Sequence, residues 1–199
     1  MAIVTVTPEE FTLVFFERAR IVDVASETAD RVGLPADFAV HIDVDESSPL
    51  GRSDLVALTP PGSGDGGSVE LRIEGGAFEN AKRPRHLSDD AVASSLGRLF
   101  FRVKDRISPG FADVPPDDDL DLRHQTAWDT YAVGRAARAG LVTQKARRLY
   151  HFRNRHGFSD VADRAFETLW NADDLTWADV DAICATTAAA AGTATPAEL

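Results

Sequence analysis

The sequence is short of several things at once. It has one cysteine, Cys184, so no disulfide can close within the chain, which points to a reducing compartment. Its lysines are only Lys82, Lys104 and Lys145, so nearly all the positive charge is arginine. The opening residues, MAIVTVTPEEF, lack the basic and apolar regions of a secretory leader. The longest uncharged tract, ICATTAAAAGTATPA, is too polar and too rich in small residues to span a bilayer. These features together predict a soluble, cytoplasmic protein.

What is present is ordinary for a globular chain: 199 residues, 44% hydrophobic and 27% charged. A chain of this length buries about 70% of its unfolded surface and folds without staples. The net charge of -11 disfavours non-specific binding to nucleic acid or to an anionic membrane.

Thr7, Pro8 and Glu10 read as a helix start, with Thr7 as cap and Glu10 closing a capping box. Phe11, Val14, Phe15, Val22, Ala25, Ala29 and Val32 share one face of that predicted helix, and Gly33 stops it. The period then changes to two. Phe38, Val40, Ile42 and Val44 alternate with polar residues, SDLVALT is a second apolar run, and Val69, Leu71 and Ile73 alternate in SVELRIE. PPGSGDGGS is a flexible link and GTATPAEL a frayed end. From Ser88 onward the pattern is helical, with stops at Ser108-Pro109-Gly110, Gly140 and Gly157 and restarts at Ser159 and Thr176. The class expected is α+β: an N-terminal helix, a small, mainly antiparallel three-stranded sheet, then a mostly helical C-terminal half. Residues 1–110 form the helix-sheet-helix core, and residues 111–199 pack on it within one domain.

Motif after motif is missing. No GxSxG, P-loop or Rossmann spacing occurs, and Cys184 sits in an alanine-rich helix with no base nearby, a structural thiol rather than a nucleophile. Asp117, Asp119 and Asp121 alternate as in an EF-hand, but Leu122 and Trp128 stand where it needs Gly and Glu. TPEEF, VDESSP and VELRIEGGAFE, with the order of elements around them, resemble small zincin-like metallopeptidases over the first half of the chain. Those enzymes hold zinc with HExxH, two imidazoles one helical turn apart. The corresponding helix here reads AVASSLGRLFFRV and offers no ligand. The resemblance therefore implies a scaffold without its metal and without peptidase activity, and neither a metal, a cofactor nor a catalytic residue is assigned.

Two surfaces remain as candidates. On the outward face of the sheet, His41 and Asp43 stand beside Glu70 and Arg72, a polar set able to hold a ligand or merely to be solvated. In KARRLYHFRNRHGF, Lys145 to Phe158, five cations and two histidines gather without one acid. At helical spacing Ala146, Leu149, Tyr150 and Phe152 turn inward, while Arg147, His151 and Arg155, with Arg148 beside them, form an outward basic stripe. A helix-turn-helix outline follows, but Asp160, Asp163 and Glu167 on the next helix would meet phosphates, which excludes DNA. The stripe either pairs with the protein's own acids or holds an acidic protein partner or a small anionic ligand. The function expected is a non-catalytic interaction or regulatory domain. The alternative is an enzyme or binder acting on a small anion through the sheet face or the basic helix.

Overall fold

The computed structural model describes residues 1–62 and 66–192. The middle of the glycine-rich link and the end of the chain, residues 193–199, lie outside the described residues.

The chain begins with a strand, β1 (Ile3–Thr7), not a helix. IVTVT alternates, Val6 is buried, and Thr7 ends the strand instead of capping a helix. The residues read as the helix's first turns are held in a loop by Glu46, whose carboxylate accepts the backbone N–H groups of Thr12 at 2.8 Å and Leu13 at 2.7 Å. That side chain thus replaces the helical hydrogen bonds the capping box would have begun. Phe15, expected on the buried face, is 70% exposed. The helix α1 (Arg18–Val32) starts a full ten residues after Pro8 and buries Ile21, Val24, Ala25, Ala29 and Val32. Gly33 ends it as the pattern requires: its φ of 75° is left-handed, and its N–H reaches the carbonyls of Ala29 and Asp30.

The sheet has four strands in the order β1, β2 (Ala39–Asp45), β4 (Ser68–Glu74), β3 (Ser53–Thr59). Pairing is mostly parallel: β1 with β2 and β2 with β4, only β3 running antiparallel to β4. This corrects the expected three-stranded antiparallel sheet. The physical reason is connectivity. The α1 crossover returns the chain in the same direction, so β2 lies parallel to β1. Residues 46–52 then carry the chain past the free edge, so β3 lies outside and β4 fills the space between. The alternation itself is as expected, with Val40, Ile42, Val44, Val69, Leu71 and Ile73 buried under α1 and α2 (Asp89–Arg106). A small hairpin, β5 (Glu79–Asn80) and β6 (Arg83–Leu87), precedes α2, which Ser88 caps through a 3.3 Å bond from the Ala91 N–H.

Four more helices follow: α3 (Leu122–Arg138), α4 (Lys145–His156), α5 (Asp160–Asn171) and α6 (Trp177–Gly192). Asp121 caps α3 by accepting the N–H groups of Arg123 and His124, both at 2.9 Å, and Ser159 caps α5. Their shared core holds Phe111, Trp128, Tyr131, Phe152, Phe166, Leu169 and Cys184. Burial, with the charges of Asp121 and Asp181, pushes the Cys184 thiol up to about 12, the behaviour of an inert core residue. Where α2 meets α3 one buried carboxylate gathers several donors. Asp105 accepts both ends of the Arg135 fork, at 2.7 and 2.6 Å, and the Trp128 indole N–H at 2.7 Å. Among the described residues no helix is long and apolar enough to cross a membrane.

Candidate functional site

The sheet's second face is uncovered, which is uncommon where pairing is mainly parallel. Its outward residues stand in two cross-strand rows, Thr5–His41–Glu70 and Thr7–Asp43–Arg72. Thr5 Oγ1 and His41 Nδ1 lie 2.5 Å apart, Thr7 donates to Asp43 at 3.0 Å, and Arg72 approaches Asp43 at 3.9 Å. These side chains border a shallow depression of about 210 Å³. The hydroxyl–imidazole pair has the first two members of a nucleophilic triad. Among the described residues no carboxylate is hydrogen-bonded to the His41 ring, and Asp43 is engaged by Thr7 instead. The structure thus brings His41, Asp43, Glu70 and Arg72 together as neighbours on one face.

The basic segment does form a helix, and it divides its charges between two tasks. Lys145 reaches Glu167 at 2.8 Å and Arg153 reaches Asp163 at 2.6 Å, so the acids of α5 serve α4 and do not face solvent alone. Arg147, His151 and Arg155 are exposed and have no ion-pair partner among the described residues. Burial and the charges of Arg148, Arg147 and Arg155 hold the His151 imidazole below its ordinary range. Tyr150, expected inward, is instead 59% exposed, as is Ala146. The reason is that α4 lies on the surface of the second core, with only Phe152 and His156 fully buried, so its apolar face is one side chain wide. Phe158, 68% exposed, sets its ring edge-on to Tyr150 at 6.3 Å. The surface is therefore a row of cations beside two open aromatic rings.

Arg148, expected beside the stripe, turns the other way. It points inward to Asp129 of α3, at 3.5 Å. Asp129 also accepts Arg98 at 2.9 Å and Arg102 at 3.2 Å, both from α2. Burial alone would raise the Asp129 carboxyl, but these three guanidinium groups outweigh it and hold it at about 2. Arg102 also meets Asp117, as does Arg106 at 3.1 Å, and both arginines stack over the Trp128 ring, 4.3 and 5.0 Å from its centroid. Of the acidic loop, Asp117 thus serves α2 and Asp121 the α3 cap.

Of the residues that build this junction the sequence singles out Arg148 and Asp117 but not Arg98, Arg102, Arg106 or Asp129, although one signal was there. In RLFFR, Arg98 and Arg102 stand four apart on the helix that would carry HExxH, the spacing that puts two side chains on one point. Here the point is a carboxylate. Three cations surrounding it repel a metal ion, and no set of three or more His, Cys, Asp or Glu is placed to hold one among the described residues. A metallopeptidase centre does not fit these residues.

A third surface was also unforeseen. On the β5–β6 hairpin Lys82, Arg83 and Arg85 are exposed, and Phe15 lies against His86 with ring centroids 4.9 Å apart. The adjoining hollow of about 260 Å³ is bordered by the Arg20–Asp89 ion pair and by Glu17, so its lining is of mixed charge.

No protein-family model, no curated protein and no solved structure matches this chain.

Proposed function

We propose that this chain is a non-catalytic interaction or regulatory domain that holds an acidic segment of a protein partner on the outer side of α4. One observation carries this reading. On a single helix Lys145, Arg148 and Arg153 have carboxylate partners, whereas Arg147, His151 and Arg155 project without any among the described residues, next to the exposed Tyr150 and Phe158. In a protein of net charge -11, an unneutralised basic stripe steers acidic partners to one place. Arginine forks and open aromatic rings are the side chains that anchor interfaces. The resemblance to zincin-like scaffolds fits a domain that has kept a framework and lost its metal ligands, and the lone buried thiol suits a reducing compartment such as the cytoplasm.

The test is fluorescence anisotropy with a labelled glutamate- and leucine-rich helical peptide. Binding should weaken with added salt and fall at least tenfold in the Arg147→Glu, Arg155→Glu double variant, whose thermal midpoint should stay at the wild-type value. Equal affinity in the double variant would refute the reading.

A further inference from the structure

We propose that the junction of α2, α3 and α4 is a binding site for a phosphoryl dianion, gripped by Arg148 and backed by Arg98 and Arg102. This goes beyond the docking reading and does not depend on it, because Arg148 is not part of the outward stripe.

Charge is the first ground. Among the described residues four guanidinium groups, Arg98, Arg102, Arg106 and Arg148, pair with two carboxylates, Asp117 and Asp129, an excess of two positive charges. Two acids of α5 are already occupied by α4, Asp163 by Arg153 and Glu167 by Lys145. Asp105 is closed around Arg135 and Trp128. A phosphate group at neutral pH carries close to the two negative charges that would balance this excess.

Geometry is the second. Arg98 and Arg102 satisfy Asp129 from α2, and Arg98 also donates to the Ser53 carbonyl and hydroxyl of β3. Arg148 arrives as a third cation and makes one long contact, 3.5 Å from Nη1, leaving its Nε and Nη2 unengaged. Its side chain is 23% exposed, whereas that of Arg102 beneath is 9% exposed. The Arg148 side chain thus lies nearer the surface than the Arg102 guanidinium that shares Asp129 with it. Burial and the neighbouring Arg98 and Arg147 push the Arg148 guanidinium below its ordinary range despite Asp129. A bound oxyanion would relieve that repulsion and take both free donors in the bidentate manner arginine favours.

The phosphoryl group could belong to a free small molecule or to a phosphorylated side chain, and the experiment separates them. Thermal unfolding of the full chain is followed in inorganic phosphate, in a phosphoserine peptide, in its unphosphorylated form and in chloride, all at matched ionic strength. At ten times its Kd a bound anion multiplies the folding equilibrium constant about eleven-fold, which moves the midpoint measurably. Stabilisation by inorganic phosphate assigns a free phosphate group as sufficient, and stabilisation by the phosphopeptide alone assigns a phosphorylated chain. Either shift must vanish in Arg148→Gln and persist in Arg155→Gln. A midpoint that is the same in every solution, or a shift retained in Arg148→Gln, overturns the proposal. Should Arg148→Gln not fold, the ³¹P resonance of phosphate or phosphopeptide with wild-type protein decides: an unchanged line width and position refutes the site. The docking reading has its own readout in the unphosphorylated glutamate peptide, so the two fail separately.

Discussion

His156 lies flat against Phe152, with ring centroids 3.9 Å apart and planes within 6° of parallel. Its Nε2 lies 3.1 Å from the Arg123 carbonyl, an acceptor, so a ring proton belongs there, and Nδ1 lies 2.8 Å from the Thr187 hydroxyl, which itself donates to the Cys184 carbonyl at 2.9 Å. The histidine ties α4 to α3 and α6. Burial drives its pKa down to about 4 from an ordinary 6.5, the Arg123 carbonyl opposing and the positive ends of Arg123 and His124 assisting, against the nearby Asp121.

A pH dependence follows. The unfolded chain takes up the His156 proton near 6.5 and the folded chain only near 4. Between those values the unfolded state holds more protons, so stability is complete above the upper value and is lost as pH falls toward the lower. The loss amounts to about 3 kcal/mol at its limit. His124 works in the opposite sense: burial lowers its pKa, but its bonds to Asp121 and Asp181 outweigh this and raise it, so its contribution fades as pH rises. Urea unfolding of wild type and His156→Gln across this range isolates the first effect. The gap between the two curves should shrink steadily on acidification, and parallel curves would disprove the assignment.

Asp129 is the carboxylate on which three helices converge, and removing its charge should be severe. Asp129→Asn strands Arg98, Arg102 and Arg148 in a largely buried site, a change expected to cost about 3–5 kcal/mol. Arg148→Met, which removes the surplus cation, should cost much less, and Arg155→Ala on the open stripe should stay within about 0.5 kcal/mol. Denaturant midpoints measure all three. A mild Asp129→Asn would mean that the arginines find other counter-charges. Because the Asp129 pKa is held at about 2 against an ordinary 3.8, its share of stability is lost as pH falls through that lower interval.

Gly134 is where α3 and α5 touch. A Cβ there would lie 2.1 Å from the Trp170 carbonyl oxygen, which is backbone and cannot step aside. Gly134→Ala should therefore separate the helices at a cost of about 1–3 kcal/mol. Gly97→Ala places its Cβ 2.3 Å from Leu141 Cδ1, the end of a side chain that can rotate, and should be the milder of the two. Calorimetric melting temperatures rank them, and the reverse order would show that the α3–α5 contact adapts.

Local signals in the sequence reported local structure well. Gly33, Ser88, Gly157 and Ser159 bound helices where their chemistry says they should, and period-two alternation in β2 and β4 names the buried residues. What sequence could not convey was pairing between distant elements. Glu46 restrains the loop at Thr12 and Leu13 from more than thirty residues away, so a capping box that is sound by itself loses to a tertiary bond. Strand direction failed for the same reason, since nothing within SDLVALT says that β3 passes outside β4. In the basic helix the pattern separated Phe152 from Arg147 and Arg155 but misplaced Tyr150 and Arg148. A narrow buried stripe and a carboxylate on another helix decided those two. The RLFFR spacing was readable and its meaning was not, because Asp129 is supplied by α3.

Helix α3 gives Ala132 and Ala136 to the core beneath the sheet and Ala127, Trp128, Tyr131 and Val133 to the core of the helical half. It is a party wall: neither half has a complete interior without it. Its backbone amides should be the last in the chain to exchange with deuterated water, released only by global opening, while those of β5 and β6 exchange early. By the same reasoning a cut after Gly110 would leave residues 1–110 without the side of α3 that closes their interior, and the fragment should melt well below the intact chain instead of surviving as an independent unit.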